Sequence, residues 1–186
     1  MLRKGLFLGI FFLSLSLSPK NLNSTTVVFL TDKDLTKMAD QILTGKCISK
    51  ESFWTSDGKR IYTIYKILVN KRLKGKTSQQ IFVFRQWGGT KDGFTYYIPG
   101  LATFEPSEEA FGFFTPPNSK GFRYTVGLAQ GKLKILRNRK KKLLMRNTVG
   151  LHFRGRKHFR GKIELYEYNE YESKIKSYLE ELKRKK

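Results

Sequence analysis

The chain has one cysteine, Cys47, so no intrachain disulfide is open to it and stability must rest on burial and strand pairing. Cys47 alternates with Leu43 and Gly45, which turns it inward as a small buried hydrophobe rather than a reactive thiol. The longest clean apolar run, Gly5 to Leu13, falls short of the roughly 20 residues that a membrane span needs. Histidine is nearly missing: His152 and His158 are the only two, and both follow the strand-rich part of the chain. There is no Gly-x-Ser-x-Gly, no His-Glu-x-x-His and no phosphate-cradling glycine-rich loop. Glu108 and Glu109 are neighbours, and in a strand their carboxylates point to opposite faces, a poor acid/base pair. These absences point away from hydrolase chemistry and from a bound cofactor or metal.

Acidic residues are also scarce, 15 against 37 Lys and Arg, for a formal charge of +22. The imbalance is concentrated: Gly131 to Lys162 holds 13 basic residues and no acidic one. Such a block attracts polyanions, acidic proteins or anionic lipid surfaces. The competing reading is a solvated, lysine-rich face in a chain that is basic throughout.

The first residues have the layout of a secretory signal peptide. Arg3 and Lys4 precede the apolar run, and a Ser/Leu stretch ends at Ser18 before polar Pro19-Lys20-Asn21. Cleavage is the expectation, with an uncleaved anchor as the alternative. Export to a periplasmic or extracellular space follows, without lipid attachment, because no cysteine lies near a plausible mature terminus. About 160 residues remain, enough for one domain with its own core.

Short β-branched and aromatic runs broken by Gly, Pro and Asp-Gly fill most of that domain. Thr25 to Leu30 predicts a first strand, and Thr31-x-x-Asp34 a capping box opening a helix over about 32–39. Gln41 to Trp54 and Arg60 to Val69 predict a hairpin around Ser56-Asp57-Gly58-Lys59, with a polar loop from Lys71 to Ser78. Further strands are predicted at 80–87, 109–115, 122–128 and 132–136, with brief pairing from Phe94 to Ile98. In Lys132-Leu133-Lys134-Ile135 the lysines alternate outward and the apolar residues inward. Leu143 to Met145 reads as a short edge strand, and 147–161 shows little regular pattern. Tyr171, Ile175, Tyr178, Leu179 and Leu182 line one face of a C-terminal amphipathic helix.

His152-Phe153-Arg154-Gly155 recurs as His158-Phe159-Arg160-Gly161. In an extended chain this offset puts both histidines on one face and both phenylalanines on the other. A metal pair would lack a third ligand and sit among Arg154, Arg156, Lys157 and Arg160, which repel a cation. A basic surface interleaved with aromatics, or a plain structural tail, fits these residues better. Nucleic acid is disfavoured as a partner by the export signal and by the lack of a recognised motif.

Several segments carry a resemblance to a family. They are Ala39-Asp40-Gln41-Ile42 with Gly45-Lys46, Tyr62 to Val69 with Leu73-Lys74-Gly75, and Phe82-Val83-Phe84-Arg85-Gln86 before Gly88-Gly89. Ile98-Pro99-Gly100, Phe104, Ser107 to Phe114 and Val126 to Lys132 follow in order. Over roughly Ala39 to Leu136 the chain resembles small exported bacterial proteins with an OB-like barrel, distantly similar to netrin/metalloproteinase-inhibitor (NTR/TIMP-like) domains. The resemblance implies a mainly β, five-stranded, partly open barrel that binds rather than catalyses. Inhibitors of that class place an N-terminal cysteine on a catalytic zinc, and this chain has no cysteine there.

The expected organisation is a signal peptide over 1–24, an OB-like barrel domain over 25–150, and a basic linker with a C-terminal helix over 151–186. The expected function is that of an exported, monomeric, non-enzymatic binding or accessory module engaging a protein partner. The alternative is an electrostatic binder of an anionic envelope polymer or lipid surface. Candidate binding residues for either are Arg137, Arg139, Lys140, Lys141, Lys142, Arg154, Arg156, Lys157 and Arg160.

Overall fold

The computed structural model describes residues 25–76, 78–138, 141–154 and 160–185. The expected signal peptide therefore lies outside the described residues, as do Arg139, Lys140, Arg156, Lys157 and His158. The described chain is mainly β, with two α-helices, one of them C-terminal. Its strands are β1 (Thr25–Val28), β2 (Gln41–Trp54), β3 (Ile61–Lys74), β4 (Ile81–Trp87), β5 (Gly89–Lys91) and β6 (Phe94–Tyr96). They continue as β7 (Glu109–Phe114), β8 (Lys132–Arg137), β9 (Lys142–Asn147), β10 (Leu151–Arg154) and β11 (Ile163–Glu167). The helices are α1 (Asp32–Met38) and α2 (Tyr168–Arg184).

Seven strands form one open sheet in the order β11-β9-β8-β7-β2-β3-β4, while β1 pairs in parallel with β10 and β5 with β6. All neighbours in the large sheet are antiparallel. The long hairpin of β2 and β3 bends through register shifts at Ile42/Leu43, Thr44/Gly45 and Cys47/Ser49. Gly45 is required at this bend, because a Cβ there would lie 2.3 Å from the Leu68 carbonyl oxygen. The sheet does not close on itself. Across the gap, the Arg85 amide donates to the Arg123 carbonyl at 3.0 Å.

Alternation along the strands builds two cores, one on each face of the sheet. On one face Ile42, Phe111, Phe113, Leu133, Ile135 and Leu144 meet Leu35 of α1 and Tyr168, Tyr171 and Ile175 of α2. On the other, Leu43, Cys47, Tyr65, Ile67, Phe82, Phe84 and Phe114 pack under Ala102 and Phe104 of the segment before β7. Strand β7 contributes to both cores, so its near-continuous apolar run is explained by two-sided burial. The capping box of α1 is formed: the Asp34 amide donates to Thr31 Oγ1 at 3.2 Å, and the Thr31 amide to Asp34 Oδ2 at 3.0 Å.

Several elements differ from the sequence expectation. β3 runs on to Lys74 through the stretch read as a loop, because its far end pairs with the start of β2 under α2. No strand forms over 122–128. Left-handed backbone at Gly127 (φ 63°) and Leu128 (φ 60°) turns the chain into a short 3-10 helix, leaving one bridge between Phe114 and Thr125. Residues 151–154, within the stretch read as poorly patterned, form strand β10, and 163–167, for which no strand was expected, form β11. β9 is flanked on both sides, by β8 and β11, and is not an edge.

Candidate functional site

The inner face that holds Phe82, Phe84 and Phe114 extends sideways beyond its cover. The register places Ala110, Lys134, Met145 and Leu165 in one row across β7, β8, β9 and β11. Ala110 is buried beneath the 98–108 segment, whereas Leu165 at the far end of the row is 59% exposed. Ile163 beside it is 55% exposed, and Val149 in the turn after β9 is 61% exposed. Helix α2 cannot cover these residues, since it packs on the opposite face against Leu144 and Ile135. An apolar floor is thus left open at the β11 edge.

A groove of about 210 Å3 lies where the covering segment meets this floor. It is lined by Tyr97, Leu101 and Thr103 of the segment before β7, by Met145, Asn147, Lys132 and Lys134 of the sheet, and by Ala129 and Val149. The two lysines behave differently. Lys132, expected to point outward, is largely buried: it pairs with Glu108, donates to the Thr103 carbonyl and lies 4.6 Å over the Phe104 ring. Burial pushes its ammonium below the ordinary lysine range, against the opposing pull of Glu108. Lys134 is exposed and makes no ion pair among the described residues. It offers the groove an uncommitted positive charge.

The predicted basic residues do not form one cluster. Arg137 and Lys142 pair at one end of the β8–β9 hairpin, where Arg137 donates to Glu109 Oε2 from Nε at 2.9 Å and Nη2 at 2.7 Å. The Lys142 ammonium sits 3.3 Å over the Tyr168 ring, and Lys141 is exposed in the turn. Arg154 and Arg160 are exposed beyond the opposite end of β9, which pairs Asn147 with Ile163. Six strand residues, roughly 17 Å, separate the two groups. His152 bridges to Arg160 and is exposed, whereas Phe153 turns inward and meets Phe29 edge-on at 5.4 Å. Among the described residues no three His, Cys, Asp or Glu side chains gather as a metal site requires.

Two buried arginines were not flagged by the sequence. Arg146 on β9 donates from Nη2 to Asp32 Oδ1 at 2.7 Å and to the Tyr171 hydroxyl at 2.6 Å. Tyr171 donates in turn to Asp32 Oδ1 at 2.8 Å, and Lys174 to Asp32 Oδ2 at 2.9 Å. Burial alone would raise the Asp32 carboxyl, but the Arg146 charge and these hydrogen bonds hold it below its ordinary value. This network ties the first turn of α1 to β9 and α2, and its role is structural. Arg85 on β4 lies instead among Tyr62, Phe122 and Trp87, with ring centroids 4.1, 4.3 and 4.5 Å from its guanidinium carbon.

Neither family models, nor curated proteins, nor solved structures yielded a match to this chain.

Proposed function

We propose that the protein is an exported, non-enzymatic binding module of OB-like build that engages an acidic protein partner on the open face of β8, β9 and β11. The observation that carries this reading is the uncovered row Lys134, Met145 and Leu165, flanked by Ile163 and by the groove at Lys132. Exposed aliphatic side chains in a contiguous patch mark interaction surfaces, and Lys134 on that patch, unpaired among the described residues, selects an acidic partner. The order β8-β7-β2-β3-β4 within the sheet supports the OB-like part, being the strand order of a five-stranded barrel opened between β4 and β8, its third and fifth strands along the chain. β9 and β11 extend that unit and supply the face. Binding of an anionic polymer or lipid through 137–160 draws less support, because Arg137 is held by Glu109, Arg146 is buried against Asp32, and the remaining described cations of that segment lie toward opposite ends of β9.

The test is site-specific photocrosslinking in the native envelope fraction. A photoreactive residue at Leu165 is expected to give discrete protein adducts that Lys134→Glu abolishes, while one at Lys37, exposed on α1, gives none. Equal adducts from both positions, or adducts indifferent to Lys134→Glu and to salt, would overturn the reading.

A further inference from the structure

The opposite edge of the sheet carries a second, independent site. The bonds Val69 N to Gln80 O and Gly88 N to Ile61 O, each 2.8 Å, set the phase of the β3–β4 ladder. Even-numbered residues of β4 bond to β3, and odd-numbered ones turn their backbone groups away from it. Arg85 obeys this phase by donating outward to Arg123. Ile81 and Val83 therefore present N–H and C=O groups to the open edge, with no partner among the described residues. Their side chains are exposed and join Leu68 and Ile48 in an apolar strip on the side of the strand away from Phe82 and Phe84. Edge strands are normally blunted by charge, proline or a bulge. Ile81 and Val83 have none of these.

The strip ends at Arg85, which is 9% exposed. Among the described residues the ion-paired arginines are Arg123, Arg137 and Arg146, and Arg85 is not one of them. Its Nε is buried without a hydrogen-bond partner. Ring contacts return only part of what a guanidinium loses in hydration on burial. A carboxylate would complete the site. The Arg123 carbonyl occupies the edge at Arg85, so an added strand must stop there, with its last residue beside the guanidinium.

We propose that β4 is a docking edge for an extended segment of an acidic protein, which adds as a strand along Ile81 to Phe84 and delivers a carboxylate to Arg85. Charge selects this occupant. The charged residues on the strip's face are Lys46 beside Leu68, Lys66 beside Val83 and Arg85 itself, with Glu51 in the row of Arg85 beyond Ile64, so cations outnumber acids there. A second copy of a chain with net charge +22 would set these cations against each other. Backbone pairing supplies affinity in such additions and the side chains supply selection.

The probe is a random peptide library of about twelve residues displayed on phage and selected on the folded chain. The expected winners alternate β-branched residues and end the pattern in Asp, Glu or a free C-terminus. Side-chain and terminal carboxylates are separated by amidating each synthetic winner and by replacing its acid with the amide residue. Loss of the carboxylate is expected to weaken binding at least about tenfold, and Arg85→Gln to erase that difference. Val83→Pro removes an N–H that the β3 ladder does not use, so it should abolish binding while Val83→Thr retains it. In the unmodified protein, bound peptide should slow hydrogen exchange at Ile81 and Val83, a readout independent of how the proline variant folds. The proposal is overturned if no peptide is enriched, if binding survives Val83→Pro, or if protection falls elsewhere. Winners that protect Ile163 and Leu165 alone would support the β11 face and refute the β4 edge. Self-association that protects Ile81 and Val83 without peptide would assign the edge to a second copy and also refute it.

Discussion

Arg146 and Arg85 are both buried guanidiniums on the same sheet, 6% and 9% exposed, and they are held by opposite means. Arg146 meets a carboxylate and a phenol and joins three elements distant in sequence: α1, β9 and α2. Arg85 meets rings only, from β3, β4 and the loop before the 3-10 helix. A charge whose counter-ion is built into the fold works for the fold. One left without a counter-ion adds little to stability for its burial, and its missing partner must come from elsewhere.

The largest expected effect lies at Arg146. Replacing it by Met leaves Asp32 buried with only Lys174 and Tyr171 beside it, and breaking a buried pair in this way costs about 3–5 kcal/mol. For a domain of this size that is a fall in Tm of roughly 10 °C. Urea unfolding monitored by tryptophan fluorescence measures it directly. A cost below about 1 kcal/mol would remove the distinction between the two arginines.

Next in size is the coupling. With both Asp32→Leu and Arg146→Leu present, no charge of the pair is left stranded, so the double variant should be less destabilised than the sum of the singles by about 1–3 kcal/mol. The same cycle between Arg85 and any acidic residue of the chain should give a coupling near zero. A strong coupling would reveal an internal counter-ion and undercut the β4 proposal.

Acid separates the sites again. Burial would raise the Glu172 carboxyl, but hydrogen bonds from Lys176 and Lys71 bring it down to about 2, and Asp32 is lowered as well. A carboxyl depressed in the folded state stabilises above its unfolded pKa, near 4.5 for Glu, and that contribution is lost as pH falls toward 2. Stability should drop over this window by on the order of 1–2 kcal/mol from Glu172, given that Lys71 and Lys176 are half exposed. Glu172→Gln should flatten the acid limb of a stability-against-pH curve.

How much of this could be read from residues alone follows the same division between local and non-local causes. The capping box at Thr31 and Asp34, the span of β2, the inward Cys47 and the face of α2 are set by spacing within one segment, and all were legible. Burial of Lys132 depends on Glu108 arriving from just before β7, so alternation alone sent it outward. β10 and β11 are short and lie in a basic or acidic context, and their partners, β1 and β9, are fixed only by tertiary register. The open face could not be seen for that reason: its row joins residues from four strands. The rings around Arg85 lie at 62, 87 and 122, with no spacing to connect them.

The smallest expected effect is at Arg85, and its pH dependence is the sharpest form of the comparison. Arg85→Met exchanges a cation among three rings for a thioether that also packs well on aromatics, so the cost should stay under about 2 kcal/mol. Among the described residues no carboxylate forms an ion pair with Arg85, so the difference from wild type should be the same at pH 7 and pH 3. The deficit of Arg146→Met should instead shrink at pH 3, because protonated Asp32 no longer needs a counter-ion. Urea midpoints for both variants at the two pH values decide it. A deficit at Arg85 that also shrinks in acid would mean that a carboxylate of the chain already serves it, and the β4 edge would then have no charge to offer a partner.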